Sequence, residues 1–199
     1  MRVKSRWFRS ERPKPPAELA GAAAFIVWRL AGAALQRMRA ARFDIDAGAP
    51  YFAFLGEFIA FLVAIADRIA YGRFGAEERV EFTATLARRL AAILEDNARE
   101  LLGPAENGSA RAFIALVNER SADYAAFGCD EEGPDFAFLR AFGHRVTDIM
   151  PAKDRTWTVS QVMESEAPEA VATLQKAMRD LMTVGSRPSA AARASAIEE

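Results

Sequence analysis

Apolar residues in this chain recur three to four positions apart from about residue 17 to about residue 184, the spacing of one helix face. Sustained alternation with β-branched residues does not occur, so strands are not expected. A first helix is expected over about 17–41, directly after Pro13, Pro15 and Pro16. Pro50 opens a second, to about residue 72, where Gly72 and Gly75 break the chain. A third spans about 76–102. Its apolar line is Phe82, Leu86, Leu90, Ile93, Leu94 and Leu101, and Glu77, Glu78 and Glu81 sit at the positive end of its dipole. Gly103-Pro104 is a stop signal.

The segment "ENGS" reads as a loop with Ser109 as an N-cap. A fourth helix follows to about 127, with Phe113, Leu116, Val117, Tyr124 and Phe127 on one side. After the loop "GCDEEGP", a fifth starts at Pro134 and ends at Pro151, with Phe138, Leu139, Phe142, Val146, Ile149 and Met150 as its stripe. "TVSQ" at 158–161 has the form of a capping box opening a short helix. The last helix covers about 167–183, with Val171, Leu174, Met178, Leu181 and Met182 inward. The expected fold is all-α: a single-domain bundle of six to seven helices over 16–184. Residues 1–15 are expected to be a disordered basic arm and 185–199 a disordered tail. Phe58, Leu62, Leu90, Phe142 and Val146, each mid-stripe, should form the core.

Two stretches repeat. "PYFAFLGEF" from residue 50 and "PDFAFLRAF" from residue 134 share six of nine residues. "EFTATLARRL" from 81 and "EAVATLQKAM" from 169 lie at nearly the same offset. Two origins fit: duplication of a helical pair, or chance similarity among Ala- and Phe-rich helices.

The second helix raises the main chemical question, because "YFAFLGEFIAFLVAIADRIAYGRF" holds two acids in its most apolar part. At 100° per residue Glu57, Ala60, Ala64, Asp67 and Tyr71 fall on one face, the strip that lacks large apolar side chains. Three readings follow. The strip is a thin solvent edge, with Asp67 partnered by Arg68 or another arginine and Glu57 hydrated. Or Gly56, Ala60 and Ala64 form a small-residue groove for another helix, as in a homodimer. Or the acids are a general acid–base pair, although ten residues of helix put them about 15 Å apart. As a membrane span the stretch is short: Tyr51 to Ala66 is closed by Asp67 and Arg68, and Glu57 sits inside it, so a transmembrane role is not expected. Asn97 interrupts the stripe of the third helix, either as an interhelical link or as pocket lining. Arg140, His144 and Asp148 share a line opposite the apolar stripe of the fifth, which reads as an exposed ladder rather than a proton relay.

Composition removes several chemistries. One cysteine, Cys129, allows no intrachain disulfide, and a reducing, cytoplasmic setting is the simplest. One histidine, His144, excludes multi-histidine metal sites, and no glycine-rich phosphate loop or serine-nucleophile motif occurs, so no cofactor or metal is expected. The net charge of −1 hides an asymmetry. Residues 1–42 carry ten Lys or Arg against two acids, whereas 43–199 carry sixteen against twenty-five. Either a basic first helix packs on an acidic body, or the basic segment meets an anionic surface; no specific nucleic acid is expected. The lead before "LAGAAAFIVW" mimics a secretory signal, but its three prolines and Arg29 argue against processing.

The order of helices from 54 to 127, an apolar helix, an acid-capped helix, a loop and a helix ending in Tyr124 and Phe127, resembles that of the helical chaperones of ubiquinol–cytochrome c reductase assembly. No diagnostic motif is shared, and no residue roles are carried over. The leading functional expectation is a non-enzymatic helical module that binds another protein or itself, as an assembly, chaperone-like or regulatory factor. The alternative is a bundle with an internal pocket for an apolar small molecule.

Overall fold

The computed structural model describes residues 14–103 and 108–183, and among these it is helical almost throughout. The helices are α1 (Pro16–Ala40), α2 (Ala49–Tyr71), α3 (Ala76–Leu102), α4 (Ser109–Tyr124), α5 (Phe136–Ile149), α6 (Arg155–Gln161) and α7 (Ala167–Thr183). A π turn, Val162–Glu166, joins α6 to α7, so these run on as one rod. The all-α bundle expected from periodicity is therefore the observed architecture. The expected arm and tail lie outside the described residues, apart from residues 14 and 15.

The bundle is built around α2. From Phe54 to Ala66 every residue is buried, including Glu57, and α1, α3, α4, α5 and α7 all pack against this helix. By length and hydropathy both α1 and α2 match a membrane-spanning helix, but α2 spends its apolar surface inside the bundle. The expected core residues Phe58, Leu62, Leu90, Phe142 and Val146 are fully buried.

An aromatic cluster joins α2 to α5 and α4. The rings of Phe61 and Phe142 stack at 4.0 Å between centroids, and Phe58 meets Phe142 edge-on at 5.2 Å. Phe138 lies 5.4 Å from Phe61 and 4.7 Å from Tyr124. The two helices that open on similar sequence thus face each other. They begin at different points in the shared stretch, α2 one residue before Pro50 and α5 two residues after Pro134.

Close approach elsewhere rests on small residues. The buried alanines 20, 23, 24, 31 and 34 let α1 lie against α3 and α2. Gly143 of α5 admits the α6 rod, because a Cβ there would come within 3.3 Å of Met163 and 3.4 Å of Val159.

Four expected boundaries need correction. The position that caps α4 is Gly108, not Ser109, and α4 ends at Tyr124 rather than 127. Pro134 does not start α5: it pairs with Cys129 across the preceding loop, and Asp135 caps the helix instead. "TVSQ" caps nothing. The helix has already begun at Arg155, and the Thr158 hydroxyl donates back to the Asp154 carbonyl at 2.9 Å inside its first turn.

Asp135 serves two ends of this loop. It accepts from the Phe138 N–H at 2.7 Å as the α5 N-cap and from the Gly128 N–H at 2.8 Å. Asp135→Ala should therefore cost more than a simple cap, about 2 kcal/mol. Urea denaturation gives the number, and a loss below about 0.5 kcal/mol would mean that water replaces both bonds.

Candidate functional site

The acid strip of α2 does not run along a uniform solvent edge. It passes from the core to the surface: Glu57 is 6% exposed, Ala60 2%, Ala64 9% and Tyr71 71%. The two acids meet different arginines on different helices.

Glu57 faces α4. Gly56 beside it lets α4 come close, since a Cβ at Gly56 would lie 3.3 Å from Leu116. Arg120 of α4 then reaches Glu57 in a two-pronged pair, Nη2 to Oε1 at 2.7 Å and Nε to Oε2 at 2.8 Å. Both side chains are buried. The remaining nitrogen, Nη1, donates to Glu119 at 2.7 Å and Asp123 at 3.2 Å, and Asp123 also accepts from Arg145 of α5 at 2.8 Å. The solvent-edge expectation fails for Glu57, which is desolvated and paired. The carboxylate hydrogen bond, opposed by burial, raises the Arg120 pKa and keeps its charge fixed.

Tyr124 packs one turn beyond Arg120. Its hydroxyl is buried and, among the described residues, has no hydrogen-bond partner. Burial, followed by the charge on Glu57, pushes this phenol up. It stays a neutral, protonated phenol at neutral pH.

Asp67 faces α3. Arg79 donates to it through Nε at 2.9 Å and through Nη2, and the Thr83 hydroxyl donates at 2.7 Å. Arg79 also lies over the Tyr71 ring, 5.0 Å from its centroid. Of the expected partners, Arg68 or another arginine, it is another that pairs, and Arg68 goes elsewhere, because neighbours in sequence point about 100° apart on a helix. Arg68 Nη2 donates to the Tyr124, Ala125 and Phe127 carbonyls at 3.2–3.4 Å and closes the C-terminal end of α4. Between α2, α3 and α4 these groups leave an open cleft of about 210 Å³, floored by Val63 and Ala64 and rimmed by Asp67, Arg68, Arg79, Thr83 and Ser121.

Each acid is thus saturated by its own arginine, and the arrangement is that of two structural clamps rather than one reacting centre. Ala60 and Ala64 are buried in the chain, Ala64 at the cleft beside Ser121 and Tyr124 of α4, and the small residue that α4 itself closes on is Gly56. Asn97 donates to the Ile93 carbonyl of its own helix at 2.7 Å and, among the described residues, bonds to no other helix. Arg140, His144 and Asp148 are all exposed, as a surface ladder would be. The Cys129 thiol is pushed up by burial first, with Asp130 and Asp135 adding and Arg68 opposing, so it is a poor nucleophile.

One clamp was not expected at all. Glu166, in the π turn, is fully buried and accepts from Arg37 of α1 at 2.7 Å and from Gln161 at 3.1 Å. Arg37 also reaches Glu169 at 2.9 Å. The basic first helix does pack on acids of the body here.

No family model, curated protein or solved structure matches this chain.

Proposed function

We propose that this chain is a non-enzymatic helical interaction module, an assembly or regulatory factor that binds another protein. The observation that carries the reading is the outward display of large apolar side chains on a bundle whose inner charges are tied in clamps. Trp157 is 70% exposed and Phe136 69%. Tryptophan is among the residue types most enriched at the energetic centres of interfaces. The internal-pocket alternative draws less support. The phenylalanines pack on one another, and the cleft beside Asp67 takes in neither Glu57 nor Asn97. A cytoplasmic setting goes with the single, half-buried cysteine.

Trp157→Ala should leave the melting temperature within about 1 °C, because little of the ring is buried. It should weaken association at least about tenfold, read by sedimentation velocity for self-association or by titration of a purified partner. Association unchanged in both Trp157→Ala and Phe136→Ala would rule out both side chains as binding anchors. A Trp157→Ala variant that melts many degrees lower would make the ring structural.

A further inference from the structure

The outer face of α1 is unlike the rest of the surface. Phe25 is 61% exposed, and the Arg29 guanidinium sits 5.7 Å from its ring centroid. Ala22, Trp28, Gly32 and Ala33 flank this position half-buried, and the space over Gly32 is open, with no atom within 4 Å of where a Cβ would be. One turn before Phe25, the Arg89 guanidinium crosses from α3 to lie 3.2 Å from the corresponding point on Gly21. Glu18 is the acid on this face, and Lys14 pairs with it. The face is therefore an aromatic and small-residue strip with Arg29 and Arg89 beside it, and its acid, Glu18, is matched by Lys14.

We propose that this face docks on an anionic lipid surface. The helix would lie in the headgroup plane, with Phe25 and Trp28 toward the acyl boundary and Arg29 and Arg89 among the lipid phosphates. Charge chooses this occupant. A second copy would set Arg29 and Arg89 against their own counterparts, and like charges repel. A nucleic acid would use the cations but leave the apolar strip in water. The inference is independent of the interaction face assigned to Trp157, which lies on α6.

Cosedimentation of the full chain with phosphatidylcholine vesicles, with and without phosphatidylglycerol, tests it. Binding is expected to the anionic vesicles alone and should fall as salt is raised. Arg29→Gln with Arg89→Gln should weaken it about 25-fold, from about 1 kcal/mol per cation near an anionic surface. Phe25→Ser should weaken it about tenfold through lost apolar burial. All three side chains are exposed, so both variants should melt like the parent. Equal binding to uncharged vesicles, no binding to either, or full binding by both variants would overturn the assignment. So would a Phe25→Ser change that converts a dimer to monomer, which would give the face to a second copy. Duplex DNA binding with the same salt dependence, with vesicle binding untouched by Phe25→Ser, would give the cations to nucleic acid and end the lipid assignment.

Discussion

Arg120→Ala should destabilise the fold by about 3–5 kcal/mol in urea denaturation, because it strands Glu57 as a buried charge. The pair itself is a different quantity. Two desolvated charges recover little more than their hydration, so replacing both, Glu57→Leu with Arg120→Met, should restore most of the loss. A loss under about 1 kcal/mol would show that water reaches Glu57 and that the clamp is a surface pair.

Phe61→Ala should cost about as much, 3–5 kcal/mol, by a different route. Phe61 is fully buried and touches rings from three directions: Phe142 stacked on it, Phe138 edge-on, and Tyr124 at 6.4 Å. These belong to α5 and α4, so the hole opens where α2 holds both, and aromatic rings collapse into such a gap poorly. The melting temperature should drop by roughly 10 °C. A cost below about 1.5 kcal/mol would mean that the neighbouring helices move in to fill the space, and that the cluster tolerates repacking.

How far the sequence anticipates this structure depends on which force sets each feature. Helix positions follow from proline, glycine and the apolar period, all local, and α3 and α7 occupy the expected residues. The misplaced starts of α5 and α6 are cases of two local signals competing. Pro134 satisfied the rule for a first turn, yet Asp135 offered a better cap. "TVSQ" had the letters of a capping box but lay inside a turn already closed on the Asp154 carbonyl. The partners of the acids were not legible because Glu57 and Arg120 are 63 residues apart. One signal was present, however. Phe113, Val117, Arg120 and Tyr124 share the buried face of α4, at i, i+4, i+7 and i+11. An arginine on the apolar line of one helix and a glutamate on the most apolar helix of the chain ask for each other. Glu166 gave no such hint, because the π turn that aims it inward is not written in any residue pattern of the segment.

That π turn also constrains how the gene can change. A π turn holds one residue more than the α-helix around it needs. Deleting one residue of Val162–Glu166 would let the backbone relax into unbroken α-helix, and the faces beyond would stay where they are, because the turn already absorbs its extra residue locally. A deletion in the regular helix beyond the turn would instead rotate everything after it by about 100°. Val171, Leu174 and Met178, now against the core, would swing away, and Gln175 and Arg179 would take their places. Length variants at the loops between helices change only a connection, whereas here the cost of a lost codon depends on which codon it is. Among descendants of this chain, gaps should collect around residues 41–48 and 125–134, and within 155–183 they should be confined to single residues at 162–166.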